Sequence, residues 1–233
     1  MFLRQLCRGL RGFATGPDPT PASAGHFLPE PWICVVGLEV HAQITSRSKA
    51  FSASAVAFDY DDSTQPLGAK PNSRVSLLDA ALPGSLPVPN HRCIEAGLQT
   101  AIALGFSSIH ERSSFDRKHY FYYDMPAGYQ ITQQYHPLAE HGELSIEADL
   151  GIGSALEVPV TKRVRISRLH LEQDSGKSVY TAGPNVLVDL NRAGTGLMEI
   201  VTEPDLSSGV EAARFVRSLA AILRCIGTCD GRM

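Results

Sequence analysis

The sequence predicts an α+β fold, an antiparallel sheet with helices gathered to one side. Three observations carry that prediction. Short apolar runs separated by Gly, Pro and Asx turns dominate from about Phe115 to Pro204. Stretches with helical periodicity and cap signals flank that span, at Asn90 to Gly105 and Ser208 to Gly227. No G-x-x-x-x-G-K-[ST] or G-x-G-x-x-G loop is present, so a nucleotide would not be held by a Walker loop or a Rossmann turn.

Taken in order, Met1 to Gly16 holds Arg4, Arg8 and Arg11 and no acid, with Phe2, Leu3, Leu6, Leu10 and Phe13 at roughly helical spacing. One apolar and one basic face would result, as in a mitochondrial transit peptide, and Arg11-Gly12-Phe13-Ala14 fits a matrix-protease cut. The Pro-, Ala-, Ser- and Gly-rich stretch from Asp18 to Pro31 is expected to be a linker. A first strand is expected from Trp32. Its second half alternates, Leu38, Val40, Ala42 and Ile44 on one face against Glu39, His41 and Gln43 on the other. Residues 52–76, with Asp59, Asp61 and Asp62, are polar and expected to be irregular.

The first helix has Asn90 as cap, Ile94, Leu98, Ala101 and Ile102 as apolar stripe and Gly105 as stop. Turns are expected at Met125-Pro126-Ala127-Gly128, His141-Gly142 and Gly183-Pro184-Asn185. The last helix opens on the capping box Ser208-x-x-Glu211. It buries Val216, Leu219, Ile222, Leu223 and Ile226 and ends at Gly227.

Composition narrows the function. The 233 residues are 43% hydrophobic and 19% charged, with a net charge of −3. That describes a globular chain and excludes a basic nucleic-acid wrapper. The five cysteines are scattered and suggest no disulfide framework. Cys225-x3-Cys229 lacks a second ligand pair, so it is expected to be a coincidence of a helix end rather than half a metal site. No run approaches the ~20 apolar residues of a membrane span, and no membrane insertion is expected.

Four clusters hold the chemically able residues. They are Glu39 with His41; His170, Glu172 and Asp174; Asp116 through Asp124; and Asp189 to Gly194 with Glu199 and Glu203. Carboxylates with an occasional imidazole suit Mg²⁺, and nearby Lys and Arg suit phosphate. No G-x-S-x-G elbow signals a serine nucleophile. Each cluster also has a plainer reading. The two strand faces can simply be solvated. The aromatic run Tyr120 to Tyr123 is more often sheet packing than base stacking. Arg117 and Lys118 can be surface charges, and Asn191, Arg192 and Gly194 a turn.

Together the motifs resemble one family. Val36-Gly37-Leu38-Glu39-Val40-His41-Ala42-Gln43, Leu82-Pro83-Gly84-Ser85-Leu86-Pro87-Val88-Pro89-Asn90 and Asp116-Arg117-Lys118-His119-Tyr120-Phe121-Tyr122 come in that order. Gly128-Tyr129-Gln130-Ile131, His170-Leu171-Glu172-Gln173-Asp174-Ser175-Gly176-Lys177 and Asn191-Arg192-Ala193-Gly194 through Leu197-Met198-Glu199-Ile200-Val201 follow. They are similar to the GatB family, the B subunit of glutamyl/aspartyl-tRNA amidotransferase, over about Trp32 to Met233. With the leader, the mitochondrial form is the nearest match.

The resemblance implies a catalytic cradle like the glutamine synthetase/guanido kinase fold, its concave sheet face holding metal and nucleotide. It implies partnership with an amidase A subunit and a small C subunit. It also implies ATP- and Mg²⁺-dependent phosphorylation of the γ-carboxylate of glutamate misacylated onto glutamine tRNA, then amidation in the mitochondrial matrix. On this reading Glu39, His41 and Glu172 are metal or metal-proximal ligands, with Asp174 and Glu199 as partners. Lys118 and Arg117 face phosphate, with Glu172 in the catalytic set, while Tyr120, Tyr129, Asn191 and Arg192 line the pocket. Residues 1–31 would be leader and linker, and 32–233 the N-terminal part of the cradle domain.

Several positions depart from the family pattern. Phe51-Ser52-Ala53-Ser54 and Leu77-Leu78-Asp79-Ala80 replace stretches where members carry zinc-binding cysteines, so no zinc is expected. Ala127 stands for a usual Lys, Gly196 for a Pro and Gln173 for a second Glu. The family also continues beyond Met233 into further cradle strands, a helical domain and a tRNA-contacting tail. The chain is therefore expected to be inactive alone and a weak tRNA binder. Two rival readings remain: a stand-alone carboxylate-amine ligase or guanido kinase, and a non-catalytic assembly or decoy partner of the A subunit.

Overall fold

The computed structural model describes residues 32–56, 70–148 and 160–231. The expected leader and linker, and Asp59, Asp61 and Asp62, lie outside the described residues. The elements run β1 (Glu39–Gln43), α1 (His91–Ala103), β2 (Ser108–Ile109), β3 (Asp116–His119), β4 (Tyr129–Thr132), β5 (Ala139–Glu147), β6 (Thr161–Gln173), β7 (Lys177–Tyr180), β8 (Val186–Asp189), β9 (Gly196–Thr202) and α2 (Gly209–Cys225).

Every ladder is antiparallel. The thirteen-residue β6 is the spine of a seven-stranded sheet. One of its edges takes β9, which in turn takes β1. The other edge takes β5 up to Leu169 and then β4 at Glu172, with β3 beyond β4. β7 and β8 form a separate hairpin.

Side chains alternate across a sheet, and directly paired residues share a face. The registers Val40↔Ile200↔Leu169 and Ala42↔Met198↔Leu171 therefore make one apolar face. The registers His41↔Glu199↔His170 and Gln43↔Leu197↔Glu172 make the opposite one.

Both helices pack on the apolar face. α1 lies so close that a Cβ added to Gly97 would stand 2.5 Å from Leu138 Cδ2 and 3.1 Å from Leu171 Cδ2. This tight approach corrects the expected stripe at one position, Ile102, while Ala101 is buried and Ile94 and Leu98 pack against the core. Small residues, Cys93, Ala96, Gly97, Thr100 and Ala101, form the buried face, and Ile102 is turned out to solvent. The caps agree with expectation: Asn90 accepts from the Arg92 amide at 3.0 Å, and Gly105 takes φ +61°. In α2 the core face also includes the fully buried Phe215. Ser208 accepts from the Glu211 amide, but the Glu211 carboxylate reaches the Ser207 amide at 2.8 Å and Lys162 Nζ at 2.7 Å. The Thr100 and Thr228 hydroxyls, 3.1 Å apart, join the two helix ends.

Two further expectations fail for identifiable reasons. The apolar run Ile33 to Val36 has a single bridge, Val36 to Leu206, and leaves Ile33 exposed, so the strand begins only at Glu39. His141-Gly142 is no turn. It lies inside β5, where His141 takes φ +62° opposite a register shift in β6 between Ile166 and Arg168. Gly142 is needed there because a Cβ would meet the Phe106 ring at 2.7 Å.

The irregular segment before α1 is fixed by a buried cation. Lys49, fully buried, donates to Asp79 Oδ2 at 3.0 Å and to the carbonyls of Arg74 at 2.8 Å and Leu190 at 3.2 Å. Ser52 and the Ser76 amide complete the shell of Asp79. Burial lowers the Lys49 pKa, and the Asp79 carboxylate opposes that fall. The tether ties the 74–79 loop to the turn after β8.

Candidate functional site

On the face away from the helices, β1, β6 and β9 bring four titratable groups together. His41 Nε2 lies 2.9 Å from Glu172 Oε1 and 3.6 Å from Glu199 Oε2. His170 Nε2 lies 2.9 Å from Glu199 Oε2 and 3.8 Å from Glu172 Oε2. Thr132, opposite Glu172 on β4, donates to Glu172 Oε2 at 3.2 Å. Both carboxylates and His170 are buried, while His41 keeps 37% of its side chain exposed and forms the mouth of the cluster.

The charges settle one another. Hydrogen bonds to Glu172 and then Glu199 push His41 up to about 10, against its burial. Burial works against a charged His170, but hydrogen bonds to Glu172 and Glu199 leave its pKa raised. Burial would lift both carboxylates; the His170 and His41 hydrogen bonds outweigh it and hold Glu172 and Glu199 below the usual range. The result is two buried anions neutralised by imidazoles, with His170 Nδ1 buried and without a hydrogen-bond partner among the described residues.

This geometry can bind a cation. One donor atom from each of His41, Glu172 and Glu199 falls within 4.8 Å of the other two. Two carboxylate oxygens and an imidazole nitrogen are donors that a hard divalent cation such as Mg²⁺ accepts, with water or phosphate filling its remaining positions.

The other expected site residues divide. Glu39 shares the face of His41 but lies at the exposed start of β1, opposite Val201, outside the cluster. Asp174 follows β6 and packs beside Arg192, its Oδ2 3.4 Å from Arg192 Nε. Burial pushes Asp174 up to about 6, against Arg192 and the Ser175 amide. Tyr120, half-buried, follows directly after β3. Burial, then Asp124, Glu172 and Asp174, push its phenol up to about 12.

Arg117 and Lys118 cannot both serve one side of the sheet. Lys118 pairs with Gln130, in step with the Thr132 side, whereas Arg117 pairs with Ile131 and lies 4.8 Å over the Tyr129 ring. The expectation that both cations and Tyr129 look into one pocket is thus corrected by alternation. Asn191 is buried with its amide engaged: Oδ1 accepts from the Arg74 amide and Nδ2 donates to the Lys70 carbonyl. Arg192 spends its guanidinium on the carbonyls of Ser175 and Gly176. Asn191 thus ties the 70–74 loop to the turn after β8, and Arg192 ties that turn to the segment after β6.

Sequence reasoning placed His170 on the right face without giving it a role. The available signal was the shared parity of His170 and Glu172, but the register that sets His170 beside Glu199 is long-range. Thr132 gave no local signal at all.

Comparison with known proteins gives a single answer. The family model for the GatB/GatE catalytic domain matches residues 34–233. The chain is 50% identical over 203 residues to the B subunit of the aspartyl/glutamyl-tRNA(Asn/Gln) amidotransferase of Rickettsia canadensis, covering 87% of this chain and 38% of that protein. It is 47% identical over 222 residues to the corresponding protein of Ruegeria pomeroyi, covering 95% of this chain and 40% of that protein. The chain thus spans about two fifths of the length of these curated relatives. The cluster of Glu172, Glu199 and two histidines sits on strands that all fall inside the matched span, and the chain belongs to the GatB/GatE catalytic domain family.

Proposed function

We propose that this chain carries the ATP- and Mg²⁺-dependent carboxylate-activating site of a tRNA-dependent amidotransferase. The carrying observation is the convergence of His41, Glu172 and Glu199 on the open face of an antiparallel sheet. The names of the relatives supply the substrate class, an aminoacyl group on tRNA.

A carboxylate resists attack by ammonia because its leaving group would be oxide. Phosphorylation supplies a better leaving group, and the reaction then needs charge neutralisation and positioning. Here His41, Glu172 and Glu199 would hold Mg²⁺, which neutralises phosphate charge when bound. His170 fixes the Glu199 carboxylate, Thr132 fixes that of Glu172, and Lys118 supplies a cation at the sheet edge on the same side.

The substrate in this reading is glutamate misacylated onto glutamine tRNA, and the product glutaminyl-tRNA. The partners are an amidase A subunit and a small C subunit, and the sheet is a cradle of the glutamine synthetase/guanido kinase type. The acid-free, arginine-bearing Met1 to Gly16 supports a mitochondrial setting.

The test co-expresses the chain, and a version extended to the relatives' length, with the A and C subunits. It follows ATP-dependent conversion of glutamyl-tRNA to glutaminyl-tRNA. Conversion by the extended protein and its loss in Glu172→Gln, with assembly intact, is the expected result. Full conversion by Glu172→Gln overturns the assignment.

A further inference from the structure

The cations of β6 fall into two groups. Lys162, Arg163 and Arg165, near its start, each hold a carboxylate, that of Glu211 at 2.7 Å, Glu143 at 3.3 Å and Asp205 at 2.6 Å. Arg168 holds none among the described residues. It is half-buried, and its Nε is shut off from solvent with no hydrogen-bond partner among those residues. An enclosed guanidinium is normally paired, because unmet donors there lose their hydration and gain nothing in exchange. The carboxylate directly across the ladder, Glu140 on β5, is engaged by His110 Nε2 at 2.9 Å instead.

An irregularity in the strand decides which way Arg168 faces. Ile166 is paired with Thr202 and Arg168 with Val201, so Ser167 is the extra residue of a bulge. Val164 and Ile166 are buried in the core before the bulge, and Leu169 and Leu171 after it. Unbroken alternation from Ile166 would put Arg168 on the helix side. The bulge reverses the parity and sets Arg168 on the open face, in step with His170 and Glu172. Its Cα is one pleat, about 7 Å, from that of His170. His170, bonded to Glu199 through Nε2, keeps Nδ1 buried and unpartnered among the described residues. Two enclosed nitrogens without acceptors thus occupy consecutive open-face positions beside the cation cluster.

We propose that Arg168 is the phosphate-binding cation of this site and takes the phosphate chain of a nucleoside triphosphate. A guanidinium fork meets phosphate oxygens two at a time and keeps its charge at any working pH. Arg117 is turned to the other side of the sheet, and Lys118 lies two strands out on β3. A carboxylate is the other anion that such a fork accepts. The carboxylate to be activated must attack with a free lone pair, however, and an arginine clamped on it would hold that pair back. The inference rests on the reading above for the nucleotide and the metal, not for the anion preference of Arg168.

Calorimetry on the full chain with Mn²⁺ present titrates tripolyphosphate, ATP and glutarate. Arg168→Gln is expected to weaken tripolyphosphate and ATP about tenfold to a hundredfold. Arg168→Lys keeps the charge without the fork and should fall between. Mn²⁺ binding at the cluster, followed by electron paramagnetic resonance, and the circular dichroism spectrum should not fall in either variant. No tripolyphosphate binding by the wild-type chain, or wild-type affinity in Arg168→Gln, overturns the proposal, as does a dependence on Arg168 confined to glutarate. Loss of Mn²⁺ binding and of the native spectrum in both variants also overturns it, because Arg168 would then serve the fold. Arg168-dependent tripolyphosphate binding by a wild-type chain that binds no Mn²⁺ upholds the anion site and sinks the catalytic reading instead.

Discussion

Cation binding at the cluster should depend steeply on pH, and the structure gives the slope. His41 Nε2 is engaged by Glu172 at 2.9 Å and by Glu199 at 3.6 Å, and its pKa is raised to about 10. To ligate a metal through that nitrogen the imidazole must first lose its proton. At about pH 8, two units below, roughly one molecule in a hundred has His41 neutral, so the apparent affinity is about 100-fold below its limiting value. Each unit of pH upward recovers about tenfold, and each ion bound releases about one proton. The carboxylates add no slope of their own here, because both are held below the usual carboxylate range. Mn²⁺ titration followed by electron paramagnetic resonance, between about pH 6.5 and 8.5, reads the slope directly. Calorimetry in buffers of different ionisation enthalpy counts the proton. His41→Gln should flatten the dependence. A flat profile in the wild-type chain, or the full slope surviving in His41→Gln, refutes the claim that His41 must exchange a proton for the cation.

Other perturbations test the scaffold. Lys49→Met leaves Asp79 buried without its cation and should cost about 3–5 kcal/mol in chemical denaturation, with Lys49→Met/Asp79→Leu recovering much of it; a single-variant cost near zero would remove the tether argument. Gly97→Ala should destabilise by about 1–3 kcal/mol from crowding against Leu138, less up to about 1 kcal/mol of helix propensity, and a net stabilisation would mean that α1 stands further from the sheet. Asp174 has its folded pKa raised to about 6 from an ordinary 3.8, so its contribution is fully present below the lower value and is lost as pH rises through the higher. Asp174→Asn should therefore flatten the decline in stability across that window in urea midpoints, and an unchanged decline would place its origin elsewhere.

The sequence revealed faces better than it revealed neighbours. Alternation alone put Glu39, His41 and Gln43 on one side of a strand, and His170 with Glu172 on one side of another, and the registers bear out both. Caps at Asn90, Ser208, Gly105 and Gly227 were legible because capping is local chemistry. Contacts between distant segments were not legible. Glu199 against His170, and Asn191 against Lys70 and Arg74, depend on pairings that no local pattern encodes. The α1 stripe held at Ile94, Leu98 and Ala101 and failed only at Ile102, because close packing put the small Ala96 and Gly97 against the sheet. Adjacency misled at Arg117 and Lys118, which are neighbours in sequence and opposite in space. Composition misled at Phe121 and Tyr122, whose rings lie in solvent rather than in the sheet.

The length of β6 has a consequence for how this gene can vary. Both edges of the strand are hydrogen-bonded, so the strand cannot slide to absorb a missing residue. Loss of one codon between Arg168 and Gln173 would carry part of the His170–Glu172 pair to the helix side and send leucine into the open face. Such a lesion would spoil folding and chemistry together, whereas a codon lost from the Gly183-Pro184-Asn185 turn would only shorten a hairpin. Natural variants should therefore differ in length at the hairpin tips and almost never within the last turns of the pleat that hold the two histidines and two glutamates in step.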